Sequence, residues 1–200
     1  MKLYYSPGAC SLAPHIVLQE TNTDFELIKV NLATKITEHG ENFLKINPHG
    51  YIPTLQLDTG EMLAEGVAII QYLADQNPQF KLAPENATFK RAKLYEILNY
   101  LASEVHKNFI PLYSGASDEA KCQAKANINK KFNYLNAELA QKPYLLGNDY
   151  SVADIYLFVI SNWTKNIGID LTNWANLATF SAKIAKRTAV QKALKAEGLL

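Results

Sequence analysis

The feature that most constrains this chain is its opening, Leu3-Tyr4-Tyr5-Ser6-Pro7-Gly8-Ala9-Cys10-Ser11-Leu12-Ala13-Pro14. Leu3 to Tyr5 is a short apolar run suited to a strand, and Ser6-Pro7-Gly8 is a turn signal. From Ser11 the apolar spacing becomes helical, through Leu12, Ile16 and Val17. Cys10 therefore falls at or just before the N-terminus of the first helix. Free backbone N–H groups and the positive end of the helix dipole favour a thiolate there, so a pKa of roughly 3.5–7.5 is expected. The same position also suits an inert, buried free cysteine. The strand–turn–Cys–helix order favours a functional thiol.

After this opening the first eighty residues keep mixing strands and helices. Phe25 to Val30 alternates apolar and polar residues as a strand does, and Glu41 to Ile46 has room for a helical turn or two before Asn47-Pro48. Gly50 to Leu57 runs from loop into strand, Asp58-Thr59-Gly60 makes a hairpin turn, and Glu61-Met62-Leu63 returns antiparallel. Glu65-Gly66 then opens a helix through Val67, Ile70, Tyr72 and Leu73. The expected order is β-α-β-α-β-β-α.

Beyond a proline-bearing linker every segment reads as helix. Phe89, Ala92, Tyr95, Leu98, Ala102, Val105 and Phe109 trace one face of a long helix, and Ala124, Ile128, Phe132, Leu135 and Leu139 trace another. Ile155 to Trp163 is apolar nearly all round, as a central buried helix is, and Ser151-Val152-Ala153-Asp154 before it has the form of a capping box. Shorter helices are expected at Leu177 to Ala185 and Ala189 to Ala196. The pattern predicts an α/β domain over 1–77, a linker over 78–86 and an all-helical domain over 87–200.

Composition narrows the function classes. Twenty basic residues against nineteen acidic ones leave a net charge of +1, with no field to draw nucleic acid or an anionic membrane. One Lys followed by Pro7 leaves no room for a signal-peptide apolar core, and no apolar run approaches a membrane span. Cys10 and Cys122 lie far apart and neither belongs to a C-x-x-C pair, which points away from a disulfide framework and toward a reducing, cytoplasmic setting. His15, His39 and His49 have no metal-ligand spacing, so no metal site is expected.

The strand order, with Pro53 immediately before the third main strand, resembles the thioredoxin-like fold. A cis Ile52–Pro53 bond is expected on that resemblance, turning the N–H and C=O of Ile52 outward to pair with an extended peptide. Further motifs span the chain: Tyr5-Ser6-Pro7-Gly8-Ala9-Cys10-Ser11, Asn47-Pro48-His49-Gly50 with Ile52-Pro53, and Glu65-Gly66-Val67-Ala68-Ile69. They continue through Asn99-Tyr100, Glu104-Val105-His106-Lys107, Tyr144-Leu145-Leu146-Gly147 and Ser151-Val152-Ala153-Asp154. Together, in this order, they resemble a bacterial glutathione transferase of the beta class. One position departs from it: the family usually has Gln where this chain has Tyr51.

The resemblance implies an architecture, a thioredoxin-like domain followed by a helical one, and a glutathione site. Ile52 and Pro53 would supply backbone pairing, and Glu65 and Gly66 at a helix start would hold the γ-glutamyl carboxylate. Lys35 would answer the glycyl carboxylate. Cys10 and His106 would face the sulfur as catalytic groups, with Tyr5, Ser11 and Lys107 nearby. It also implies a homodimer in which Asn99, Ser103 and Glu104 approach the glutathione of the partner. Glutathione would be a co-substrate, with no cofactor held permanently.

Two chemistries compete on such a site. Bound glutathione can attack a small hydrophobic electrophile, a detoxifying conjugation, or Cys10 can itself exchange with disulfides as a monothiol reductase. A non-enzymatic carrier of apolar ligands is a third reading. Phe109, Pro111, Tyr113 and Trp163, with Ala9 near the sulfur, are the expected walls for the second substrate.

Overall fold

The computed structural model describes all residues, Met1–Leu200. The chain runs β1 (Lys2–Tyr5), α1 (Leu12–Glu20), β2 (Glu26–Asn31), β3 (Ile36–Thr37), β4 (Thr54–Gln56), β5 (Met62–Ala64) and α2 (Gly66–Gln76). It continues as α3 (Phe89–Tyr100), α4 (Ile110–Tyr113), α5 (Asp118–Gln141), α6 (Val152–Asn162), α7 (Ala175–Ala185) and α8 (Thr188–Ala196). Two compact units emerge: Met1–Leu82 together with Lys186–Leu200, and Ala83–Ala185.

The first unit is built on a five-stranded sheet of order β3-β2-β1-β4-β5. β1 and β2 are parallel, with Tyr4 opposite Ile28, so the chain must cross over between them, and α1 is that crossover. β4 joins the other edge of β1 antiparallel, Leu55 opposite Leu3, and β5 follows it as a hairpin. On one face Tyr4, Ile28, Val30 and Phe43 form a buried cluster that also packs Ile46 and Ile52. Fully burying each such side chain contributes about 1.5–3 kcal/mol. Residues Leu12 to Leu18 of α1 are all buried, because the helix packs against both α2 and α8. Pro14 is tolerated in it because first-turn N–H groups have no partner within a helix.

This α/β organisation follows the expected order, with two differences. Glu41 to Ile46 yields only a 3-10 turn at Phe43–Lys45, capped by Asn42, and the two-residue β3 precedes it on the edge of β2. Two residues are too few to show a strand period.

The end of the chain departs from the expected boundary. Residues 87–200 read as one helical domain, yet Lys186–Leu200 belong to the first unit. Here α8 lies on α1, and the two are tied by polar groups. Arg187 donates from Nε and Nη2 to the two carboxylate oxygens of Glu20, at 2.5 and 2.9 Å. Just past α8, Glu197 is buried at 6% exposure. Its Oε1 accepts from His15 Nδ1 and its Oε2 from the Gly8 N–H, both at 2.8 Å. Helical periodicity reports that α8 has an apolar face but not which unit receives it.

In the second unit the caps match the sequence. Thr88 accepts from the Arg91 N–H, and Ser117 from that of Ala120. The capping box at Ser151 and Asp154 is present, and it is wholly buried. Asp154 also accepts from the Leu145 N–H at 2.8 Å, so it fastens the preceding loop to α6. Burial pushes its carboxyl up to about 6, against the downward pull of these donors. Residues Val152 to Ser161 of α6 are buried all round, as expected. Asn136 of α5 caps the start of α7, accepting from the N–H groups of Asn176 and Leu177 at 2.9 and 3.2 Å.

The long helix expected from Phe89 to Phe109 is a correction. α3 stops at Tyr100; Leu101–Val105 forms a π-helical turn, and His106–Phe109 a 3-10 turn. The buried stripe runs through Arg91, Leu94, Leu98, Leu101 and Val105, leaving Phe89 and Tyr95 exposed. Arg91 is accepted into that stripe because Nη1 donates to the Pro84 carbonyl at 3.0 Å and the guanidinium covers the Tyr95 ring. No helix is long and apolar enough to cross a membrane.

Glu197→Ala removes the acceptor of the buried His15 Nδ1 and of the partly buried Gly8 N–H. Urea unfolding should show a loss of about 3–5 kcal/mol, the scale for breaking a buried pair. Glu197→Gln, which keeps one accepting oxygen, should lose less. A loss below about 1 kcal/mol for the Ala variant would remove Glu197 as the tie between the chain's end and its first turn.

Candidate functional site

Most of the expected glutathione residues belong to the first unit, with Cys10 in the turn after β1. Ala9 N–H bonds to the Ser6 carbonyl and Leu12 N–H to that of Ala9, so Cys10 sits in a tight turn one residue before the N-cap, Ser11. The Ile52–Pro53 peptide is cis, as expected. Cys10 Sγ donates to the Ile52 carbonyl across 3.4 Å, which joins the thiol to that backbone edge.

The Ile52 segment is held by a residue that sequence reasoning took only as a helix stop. Asn47 is buried, and its Nδ2 donates to the Tyr51 carbonyl at 2.8 Å and to Thr54 Oγ1 at 3.0 Å. A polar residue just before a proline is the signal that was there to read, since an Asn side chain in such a place commonly bonds nearby backbone.

Glu65 is the N-cap of α2 with φ +69 and ψ 111, a conformation that costs a non-glycine residue on the order of 1–3 kcal/mol. Its side chain makes no capping bond and is exposed. Gly66 starts α2 against the Pro53 ring, where a Cβ would stand 3.4 Å from Pro53 Cγ. Lys35 also has left-handed backbone, φ +57, and its Nζ donates to the Gly50 carbonyl at 2.8 Å.

Three expectations in this unit need correction. Burial pushes the Cys10 thiol up to about 11. Its own N–H and that of Ser11 pull downward as the helix terminus should, but desolvation outweighs them, and the Glu65 carboxylate adds to the rise. The Ser11 hydroxyl is completely buried, accepting from the Ser6 N–H and donating to the Ser6 carbonyl, both at 3.2 Å. It braces the turn. Tyr5 is buried too, edge-on to the His15 ring at 6.5 Å, as part of the core.

The remaining expected residues lie in the second unit, on the irregular stretch after α3. Asn99, Ser103, Glu104 and Lys107 are exposed. Ser103 Oγ donates to the Asn99 carbonyl at 2.9 Å. Lys131 Nζ donates to Glu104 at 2.6 Å, which holds that carboxyl below its usual range. His106 is half-buried, with Nδ1 2.7 Å from the Tyr156 hydroxyl and its ring edge-on to Trp163 at 4.7 Å. Burial lowers its pKa to about 4, so the imidazole is neutral at pH 7. Tyr156 was not singled out from sequence, because a tyrosine within an all-apolar helix reads as packing.

Of the expected walls, Phe109 is core, packed on Phe132 and Trp163. Trp163 is 7% exposed. Pro111 and Tyr113 stay accessible, and the Tyr113 hydroxyl donates to the Trp163 carbonyl at 3.1 Å. In the first unit Ala9 is half-buried beside Cys10. No group of three or more His, Cys, Asp or Glu side chains is placed to hold a metal ion.

The glutathione S-transferase N-terminal domain model matches residues 1–75, and the C-terminal domain model matches residues 98–188. The chain belongs to the glutathione S-transferase family. It is 42% identical over 200 residues to the glutathione S-transferase GstA of Escherichia coli O157:H7, covering all of both chains. Among solved structures it superposes on the bacterial beta-class glutathione S-transferase of Sphingomonas chungbukensis with a TM-score of 0.98 at 49% identity, again over both whole chains. A sphingomonad glutathione S-transferase complexed with glutathione matches at TM-score 0.97 and 50% identity, also over all of both chains. The beta-class resemblance and the thioredoxin-like domain followed by a helical one are thus borne out.

The raised Cys10 thiol sets a pH profile. Alkylation of the free protein by iodoacetamide, followed by peptide mass, should be slow at pH 7 and quicken about tenfold per pH unit up to near pH 10. A rate already level at pH 8 would mean that desolvation does not control this thiol.

Proposed function

We propose that the protein conjugates glutathione to small hydrophobic electrophiles, with Cys10 acting as a hydrogen-bond donor to the glutathione sulfur. The observation that supports this most directly is the Cys10–Ile52 contact beside the cis Pro53. The Ile52 carbonyl accepts from the Cys10 thiol. An extended peptide would present its own cysteinyl N–H to that carbonyl, releasing the Cys10 S–H to turn toward the peptide's sulfur. The site would thereby exchange one donor for another without stranding a buried acceptor.

A donor aimed at sulfur favours the charged form, lowering the glutathione thiol pKa. The thiolate then attacks the electrophilic carbon. A carbon–sulfur bond forms, the leaving group departs with its bonding pair, and the thiol proton passes to solvent. The first-turn N–H groups of α2 suit the γ-glutamyl carboxylate, with Glu65 answering the amine of the same residue. Lys35 answers the glycyl carboxylate. His106, neutral at pH 7, is read as a second neutral group at the sulfur. Asn99, Ser103 and Glu104 are read as reaching the glutathione of a second copy in a homodimer, and Lys107 as a neighbouring cation.

The reductase alternative asks Cys10 to attack as a thiolate. With the thiol near 11, about one molecule in ten thousand is ionised at pH 7. That population is a poor starting point for disulfide exchange, and conjugation is favoured.

One preparation assayed with an aryl halide and with a glutathione mixed disulfide separates the readings. Turnover of the halide is expected, and turnover of neither would favour a carrier. Cys10→Ala should lower kcat/KM for conjugation about 10- to 100-fold, as loss of a hydrogen bond to a charged group does at about 1.5–3 kcal/mol. Abolition of all turnover would instead assign Cys10 a covalent role. Glu65→Ala should raise KM for glutathione about tenfold or more with kcat retained, and an unchanged KM would remove Glu65 from the site.

A further inference from the structure

Tyr51 is 71% exposed, on a segment whose backbone is otherwise tightly held. Its carbonyl accepts from Asn47 Nδ2 at 2.8 Å and Thr54 Oγ1 at 3.2 Å, so the ring stands on a rigid base. The Lys35 ammonium lies 5.9 Å from the centre of that ring. Lys35 is also fastened along its length. Its N–H donates to the Asn31 carbonyl and its carbonyl accepts from the Phe43 N–H, both at 2.8 Å. Its stem runs along Gly50, where an added Cβ would stand 3.6 Å from Lys35 Cε and 2.8 Å from Leu44 Cδ2. The ammonium donates to the Gly50 carbonyl at 2.8 Å. A carbonyl and an aromatic face carry no formal charge, so they hold the cation in place without neutralising it. A lysine ammonium has three donors, and Gly50 takes one.

We propose that Tyr51 is a positioning residue for Lys35, and through it makes the site selective for thiol peptides that carry a free carboxylate one residue beyond the cysteine. The proposal rests on the reading of Lys35 as the partner of the glycyl carboxylate. A flexible, exposed lysine loses side-chain entropy when it meets a ligand. One already lodged between a carbonyl and a ring has lost that freedom before the ligand arrives. The ring attracts the cation by its quadrupole, an effect of about 0.5–1 kcal/mol at exposed sites, which corresponds to about a two- to fivefold change in affinity.

The test compares glutathione with its glycyl ethyl ester, in which that carboxylate is capped by an ethyl group and uncharged, by calorimetry on the full chain. Lys35→Met should weaken glutathione at least tenfold and leave the ester unchanged. Tyr51→Leu should weaken glutathione about two- to fivefold, leave the ester unchanged, and have no further effect in the Lys35→Met background. Tyr51→Trp should restore the preference, and kcat at saturating glutathione should not move. If wild type binds neither ligand, or if Lys35→Met changes nothing, the glutathione reading of Lys35 fails and takes the proposal with it. If Lys35→Met behaves as expected but Tyr51→Leu weakens both ligands equally, or neither, Tyr51 does not act through Lys35 and the proposal alone is overturned.

Discussion

The Glu197 carboxylate ties the end of this protein to the turn that carries its thiol. Glu197 receives the N–H of Gly8 and the ring N–H of His15, and with these bonds the turn that carries Cys10 is closed from below. The turn has little regular structure of its own. It is braced from within by the Ser11 hydroxyl and from outside by Glu197, and a Cβ added at Gly8 would meet Leu199 Cδ2 at 3.5 Å. The bond to Gly8 spans 189 residues of sequence. Contacts so distant require the intervening chain to be closed first. That bond therefore forms only when the end of the chain has docked.

Much of this molecule was legible because its signals are local. The strand at Leu3 to Tyr5, the stop at Asn47-Pro48, the hairpin at Asp58 to Gly60 and the box at Ser151 and Asp154 each announce themselves within a few residues. The family resemblance then assigned distant pieces to one site; Ile52, Pro53, Glu65, Gly66 and Lys35 lie in the same unit as Cys10. What stayed hidden depends on tertiary partners. The acceptor for His15 is 182 positions away. The two units meet the chain in an order that periodicity does not encode, so α8 was assigned to the wrong one. Asn47, Tyr156 and Glu197 matter through what they bond, and residue type alone names no partner.

The Cys10 thiol illustrates how a correct local principle can be outweighed. The helix terminus does act, since the N–H groups of Cys10 and Ser11 pull its pKa down. Desolvation acts on the same group in the opposite sense and is larger. Charge is costly at this sulfur in the free protein, so a donor role is easier to fill than a nucleophile's. His106 obeys the same rule with the opposite sign: burial makes a neutral base of it, and the Tyr156 hydroxyl fixes how the ring is turned.

The π-helical turn at Leu101–Val105 makes this stretch tolerant of chain length. A π turn accommodates one more residue than the α-helix would, and each residue of an α-helix turns the chain by about 100°. The wider turn takes up that residue without passing it on, so the chain beyond faces nearly as a straight α-helix one residue shorter would. Val105 and Phe109 thereby stay in the core, and the His106 ring stays against Tyr156 and Trp163. A one-residue change in length is thus stored in the backbone of this stretch and never reaches the packed residues beyond it.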